Sequence, residues 1–350
     1  MPTIYRPAVS IISGSFYDLL ATDSLILDAG IVIASTIDVG VIARGSNSVT
    51  CNGTIASVSE IGLDIYGGSL NVGSTGTISG ENGVWSNFNT NLIATNRGLV
   101  LGTTSDGVSV NGSANFTNYG TTRTTSADLD DAAYYLSEFH TSFKLTNFGL
   151  VENKTPGRYA ILAEEGNTSV DTITNNGTIK GNVYLAGGND IFDGTKGKMT
   201  GWVDGGVGND KLFGSAFADT LFGNDGNDTI RGGLGRDLLT GDNGADDFVY
   251  TSIADSKPGA TRDVILDFTR GTAVAGDDIH LTAIDAKTTV AGNQNFTWRG
   301  TLAFTKAAGQ LRFTDQGTTC LVQGDVNGDG KADFEISVKV TTLGIGDFIL

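Results

Sequence analysis

Between Asn52 and Ile179 the apolar residues fall into short β-branched runs that keep returning behind the same polar phrase. The runs are NGTI (Asn52 to Ile55), TGTI (Thr75 to Ile78), NRGLV (Asn96 to Val100), NYGTT (Asn118 to Thr122), NFGLV (Asn147 to Val151) and NGTI (Asn176 to Ile179). Their glycines, Gly53, Gly76, Gly98, Gly120, Gly149 and Gly177, stand 23, 22, 22, 29 and 28 residues apart. Short strands at a fixed period predict stacked coils, each burying its apolar face on its neighbours. The runs at Gly62 to Ile65 and Gly107 to Val110 supply a further strand per coil. A β-sandwich also has many short strands, but its turns need not repeat one phrase. The expected fold is therefore all-β: a right-handed parallel β-helix of about 22-residue coils over residues 1–184, with the first 25 residues capping its open end.

From residue 185 the period shortens to nine. Blocks begin at Gly205 (GGVGNDKLF), Gly214 (GSAFADTLF), Gly223 (GNDGNDTIR), Gly232 (GGLGRDLLT) and Gly241 (GDNGADDFV). Position eight is always apolar: Leu212, Leu221, Ile230, Leu239 and Phe248. Position six is always aspartate. Six residues of turn, where glycine permits φ > 0, followed by three of strand make half a coil. Eighteen residues then close one turn, stacking Asp210, Asp228 and Asp246 on one edge and Asp219 and Asp237 on the other. A flexible linker has no reason to carry such an inward apolar ladder.

The chain has 50 glycines, 4 prolines and a net charge of −17. Such acidity disfavours nucleic acid and anionic membrane surfaces as partners and favours divalent cations. Carboxylates and turn carbonyls converging between stacked coils form the oxygen shell that Ca²⁺ prefers. The expected ligand positions, through carboxylate or backbone carbonyl, are Asp190, Gly205, Gly206, Gly208, Asp210, Asp219, Gly223, Asp225, Gly226, Asp228, Gly232, Gly233, Gly235, Asp237, Gly241, Gly244 and Asp246. Two earlier blocks are degenerate: Leu185 to Asp193 keeps Gly188, Asp190 and Phe192, and Gly194 to Asp204 has Met199 in place of aspartate. The block Gly214 to Phe222 lacks the second and fourth glycines.

These blocks resemble the RTX (repeats-in-toxin) family, which implies a calcium-filled parallel β-roll over residues 185–249. Beyond Phe248 the chain resembles the C-terminal domain of serralysin-type (peptidase M10) proteins, through Phe248, Tyr250, Ser252, Asp255, Ser256, Gly259, Asp263, Ile265, Asp267, Phe268, Gly271, Asp278, Ile279 and Leu281. GQLRF at Gly309 to Phe313 and DVNGDGKADFEI at Asp325 to Ile336 extend the resemblance, and His280 departs from it where the family has aspartate. It implies a β-strand-rich domain over 250–350 and export through a type I secretion apparatus. The signal would be uncleaved and C-terminal, at Asp347-Phe348-Ile349-Leu350, and its removal should leave the fold nearly intact.

Asp325, Asn327, Asp329 and Asp333 have EF-hand-like spacing around Gly330, but Ile336 stands where the bidentate acid belongs, and an Asx-rich hairpin turn fits equally. Cys51 and Cys320 match no metal or disulfide framework. No segment reads as a cleavable signal peptide or a membrane span. With His140 and His280 as the only histidines, no HExxH zinc site exists, so the protease domain of the serralysins is lacking.

Two function classes remain open. One is a secreted, non-enzymatic protein, an adhesin or surface-layer component, whose β-helix binds extracellular polysaccharide or copies of itself. The other is a polysaccharide lyase or epimerase with its site near residues 128–144. That insertion carries Asp128, Asp130, Asp131, Tyr134, Glu138 and the catalytic candidates Tyr135, His140 and Lys144, and reads either as a sugar site or as a surface helix with solvated charges.

Overall fold

In the computed structural model the described residues are 10–12, 17–19, 23–45, 47–88, 90–271 and 276–350. The expected N-terminal cap lies largely outside them. They form two compact units, residues 1–191 with 197–201 and residues 192–196 with 202–350. Among the described residues there is no α-helix, only one short 3-10 turn at Ile345–Asp347, so the 128–144 insertion is an extended loop and strand rather than a helix. No helix is long and apolar enough to cross a membrane among the described residues.

The first unit is a parallel solenoid with three strands per coil. The coil starting at Thr54–Ser57 continues through Leu63–Ile65 and Gly68–Val72, then returns to the first sheet at Thr77–Gly80. The runs at Leu63–Ile65 and Val108–Val110 are the extra strands expected from the sequence, and both lie in the second sheet. Each first-sheet strand pairs in parallel with its equivalent one coil on, as in Ile55 with Ile78, Ile78 with Val100 and Val151 with Ile179. These central residues are buried, and each contributes roughly 1.5–3 kcal/mol on leaving water.

The repeated phrase has two physical causes. A Cβ on Gly149 would lie 2.1 Å from the carbonyl oxygen of Gly120, and one on Gly177 would lie 2.3 Å from that of Gly149, so the turn stacks only if it is bare. The asparagines point inward and form a ladder. Asn96 Nδ2 donates to Asn118 Oδ1 at 3.0 Å, Asn118 to Asn147 at 2.8 Å and Asn147 to Asn175 at 2.8 Å. Each Oδ1 of Asn96, Asn147 and Asn175 also accepts the N–H of the glycine two residues on. In the earlier coils Cys51 and Val72 hold the equivalent positions in the same pairing register.

Replacing Asn147 by alanine removes four hydrogen bonds of a fully buried amide. We expect a loss of roughly 2–4 kcal/mol. Thermal unfolding followed by circular dichroism checks this; an unchanged midpoint would mean that the ladder adds nothing to stability.

The second unit has two strands per coil. Thr220–Asp225, Leu238–Asn243 and Asp263–Ile265 stack in one sheet, and Lys211–Phe213, Thr229–Arg231, Asp247–Val249 and Asp278–His280 in the other, all in parallel. Leu212, Leu221, Ile230, Leu239 and Phe248 are all fully buried between them, as the position-eight pattern requires. An antiparallel set, Gln310–Asp315, Cys320–Asp325 and Phe334–Val338, joins through Phe334–Val338 beside Asp263–Ile265. Residues 347–349 are tied into this unit. Phe348 pairs with Ile279 and packs on Trp298, with ring centroids 5.0 Å apart, and buried Asp347 accepts from Arg270 at 2.8 Å. Deleting Asp347 to Leu350 is therefore expected to cost this unit packing and an ion pair.

Candidate calcium centre

The turns of the second unit are shaped by what each repeat position must do. Position two is left-handed in four blocks, at Gly206, Asn224, Gly233 and Asp242, with φ between 64° and 97°. Asparagine and aspartate are the side chains that best tolerate that region, which explains why glycine is not obligatory there. Position four is stricter: Gly226 and Gly244 have φ of 139° and 158°, and a Cβ on either would sit 1.7–1.8 Å from the carbonyl oxygen of the glycine one coil earlier. Position one is bare for a different reason. A Cβ on Gly223 would lie 2.2 Å from Asp228 Oδ2, because the aspartate of each block folds back over its own first residue.

That folding-back builds two carboxylate ladders, on the two edges the spacing predicts. On one edge Asp210 N–H donates to Asp228 Oδ1 at 2.7 Å and Asp228 N–H to Asp246 Oδ1 at 2.8 Å. On the other, Asp219 N–H donates to Asp237 Oδ1 at 2.9 Å. Both ladders run one rung beyond the nonapeptides, from Asp246 to Asp277 and from Asp237 to Asp263. Asp267 closes the last turn by accepting the N–H groups of Gly241 and Asp242. Asp263, Asp267 and Asp277 fall outside the nine-residue register that the repeats follow, although Asp263 and Asp267 are matched positions of the serralysin-type resemblance.

The second carboxylate oxygens decide what the ladders are for. Oδ2 of Asp228, Asp237, Asp246 and Asp263 is buried and accepts no hydrogen bond. Burial pushes the carboxyls of Asp228, Asp237 and Asp246 up to about 7 and that of Asp263 to about 8, with neighbouring carboxylates adding to the effect. A buried carboxylate oxygen without a partner calls for a proton or a hard cation, and carboxylates with turn carbonyls are the donor set of calcium. The repeats are calcium repeats. Residues 204–239 and 222–250 match the RTX calcium-binding nonapeptide repeat, in four copies. The chain binds Ca²⁺ through them.

Among solved structures the chain is similar to the AlgE6R3 subunit of the Azotobacter vinelandii mannuronan C5-epimerase, at 26% identity over 41% of this chain and 80% of that one, with a TM-score of 0.26. It is also similar to the AlgE6R2 subunit, at 24% identity over 49% of this chain and 92% of that one, with a TM-score of 0.28. No curated protein matches the chain.

The remaining candidates divide sharply. Asp219 differs from its neighbours: Ser215 donates to its Oδ2 from the backbone at 2.6 Å and from the hydroxyl at 2.8 Å, the internal substitute for the glycines this block lacks. Asp190 is buried, and its Oδ1 accepts the N–H of Asp171 at 2.6 Å, the same rung geometry within the first unit. Asp225 lies outward and accepts from Asn243 at 2.8 Å. The oxygens of Asp325, Asn327, Asp329 and Asp333 are spent on their own loop: Asp325 accepts from Gly328 and Gly330, Asn327 from Asp329, Asp329 from Lys331, and Asp333 from Val326. The segment forms the Asx-rich turn of the hairpin between Cys320–Asp325 and Phe334–Val338. His280 Nε2 lies 2.9 Å from Asp247 Oδ1, within hydrogen-bond distance.

The catalytic candidates of the insertion are not brought together. His140 is buried, with Nε2 at 2.9 Å from Asp171 Oδ2 and 2.5 Å from Ser169 Oγ, and Nδ1 at 2.6 Å from the Ser137 carbonyl. This is a structural tie at a turn, closed to substrate. Lys144 points to solvent from the third sheet, while Tyr135 stands on the second, so no shared reaction centre forms. Cys51 and Cys320 are buried and unbridged.

Proposed function

We propose that the chain is a secreted calcium-binding protein whose roll folds on meeting Ca²⁺ outside the cell, with the first unit acting as an extracellular binding module. The observation that carries this reading is the row of buried Oδ2 oxygens of Asp228, Asp237, Asp246 and Asp263, which disfavour the fold until a cation neutralises them. In a cytosol poor in free calcium the acidic, glycine-rich repeats stay open, which suits passage through a type I channel. The serralysin-type resemblance of residues 186–350 supports that route. Extracellular calcium modules work at roughly 10⁻⁴–10⁻³ M, so external calcium suffices to close the roll.

The first unit offers a long regular surface for adhesion, polysaccharide or self-association. A polysaccharide lyase or epimerase is the second reading, and one observation favours it: a pocket of about 440 Å³ lined by Asp130, Tyr135, Tyr159, Tyr184, Glu164 and Glu165. Tyr135 donates to Glu164 Oε2 at 2.5 Å, and burial together with Glu164 raises its phenol well above the usual value. Phenols and carboxylates line this pocket without an imidazole or amine, which suits holding a hydroxylated ligand better than abstracting its proton.

The deciding experiment is a calcium titration of the whole chain followed by circular dichroism, then reversed with a chelator. A cooperative gain of β signal, lost on chelation, is the expected result. An unchanged spectrum would remove the calcium-gated mechanism.

A further inference from the structure

Five residues after the asparagines of three successive coils stand Arg123, Glu152 and Lys180, and the first sheet pairs them directly, Arg123 beside Glu152 and Glu152 beside Lys180. Glu152 is nearly closed from solvent, its side chain 7% exposed. Its Oε2 lies 3.1 Å from an Arg123 terminal nitrogen and 3.6 Å from Lys154 Nζ, and its Oε1 lies 3.2 Å from Lys180 Nζ. Three cations therefore meet one carboxylate, leaving a surplus of two positive charges on a chain whose net charge is −17.

The surplus exceeds the one charge that balances the carboxylate, although Lys180 Nζ also donates to Glu152 Oε1. Arg123 alone neutralises Glu152, and half-exposed lysines at 48% and 49% add at most about 1 kcal/mol each as ion pairs. They do, however, line a pocket of about 360 Å³ that Glu152 also lines. One wall is the loop from Asn153 to Gly157, pinned where Asn153 Nδ2 donates to Asp131 O at 3.1 Å and Thr155 Oγ1 to Ser126 O at 2.9 Å. The opposite side is tied to it by Asn182 Nδ2 donating to Gly157 O at 3.0 Å. Gly181 and Gly201, which also line the pocket, allow the coils to pack closely there: a Cβ on Gly181 would lie 2.7 Å from Arg158 O and one on Gly201 2.5 Å from Gly181 O. Lys154 and Lys180, which carry the surplus, both line this space.

We propose that this pocket binds the carboxylate of a sugar acid, with Lys154 and Lys180 clasping the anion and the ring resting against the Thr155 to Gly157 wall. A volume equal to about a dozen waters exceeds what an inorganic oxyanion fills and matches one sugar ring. The chain's overall negative charge rejects long polyanions such as nucleic acid at a distance, whereas a single carboxylated unit is held by the local cations. The inference deepens the extracellular-binding reading and rests on it. The two fail separately, because the calcium titration reports on the second unit and this site lies within the first.

The test is isothermal titration of the full chain in fixed calcium with trigalacturonate, its carboxyl-reduced neutral counterpart, and sodium sulfate. Trigalacturonate is expected to bind, the neutral trisaccharide to bind at least tenfold more weakly, and K154Q/K180Q to lose at least tenfold in affinity while K144Q stays within twofold. Circular dichroism in calcium establishes that each variant is folded. Equal binding of the neutral sugar, unchanged affinity in K154Q/K180Q, or no binding of trigalacturonate would overturn the proposal. Sulfate binding as tightly as trigalacturonate would reduce the pocket to an inorganic-anion site and overturn its sugar part.

Discussion

Replacing Asp228 and Asp246 together by asparagine is expected to raise the calcium midpoint of roll folding at least tenfold, while Asp204→Asn leaves it within about twofold. The substitution is chosen because asparagine keeps an Oδ1 acceptor. The N–H of Asp210 can still reach residue 228 and that of Asp228 can still reach residue 246, so the rungs survive and only charge is removed. What disappears is the anionic Oδ2 of each residue, buried and without a hydrogen-bond partner in the native chain. Two charge-assisted contacts at roughly 1.5–3 kcal/mol each exceed the 1.4 kcal/mol that corresponds to a tenfold change. Asp204 is a fair control. Its carboxylate accepts from the Asn224 amide, and it sits in the degenerate block rather than at a sixth position. Calcium titrations followed by circular dichroism give the three midpoints, and equal shifts for Asp204 and the pair would show that the ligand register is misplaced.

The register itself was open to reading because it depends on local chemistry. Glycine at position four and aspartate at position six recur at fixed spacing, and the structure stacks them coil on coil as that spacing demands. The same holds for the N-terminal phrase: its glycine recurs coil by coil, with Asn-x-Gly at Asn96, Asn118, Asn147 and Asn175. What the phrase did not disclose is that the asparagine points inward. A buried amide ladder and a solvated turn asparagine look alike in a single coil, and only pairing across coils separates them. The anion pocket was hidden for a similar reason. Arg123, Glu152 and Lys180 lie 28 and 29 residues apart and read as unrelated surface charges. Counting five residues on from Asn118, Asn147 and Asn175 places them side by side, so the signal was available once the coils were aligned. His140 failed in the opposite sense. Its neighbours in sequence are acidic and aromatic, but its partners in space, Asp171 and Ser169, come from the next coil and wall it in.

The calcium-free chain should behave inversely to most acidic proteins, holding its roll better at pH 5.5 than at pH 8.5. Burial, followed by repulsion from neighbouring carboxylates, pushes Asp228, Asp237 and Asp246 to about 7 and Asp263 to about 8, against roughly 3.9 for an unfolded aspartate. A carboxyl whose folded value is raised contributes stability that is fully present below the unfolded value and is lost as pH climbs through the folded one. The chelated roll therefore weakens progressively between about pH 4 and pH 8, because the unfolded state binds fewer protons than the folded state throughout that window. Calcium reverses the dependence by replacing those protons. With calcium present the roll is stable at pH 8.5, and the calcium midpoint rises as pH falls below about 7, where protons compete for the same oxygens. Thermal melts of the chelated chain and calcium titrations at pH 5.5, 7.0 and 8.5 measure both arms. A chelated chain that melts higher at pH 8.5 than at pH 5.5 would mean that these carboxylates are solvated rather than buried in the absence of metal. The fold would then not depend on calcium to neutralise them.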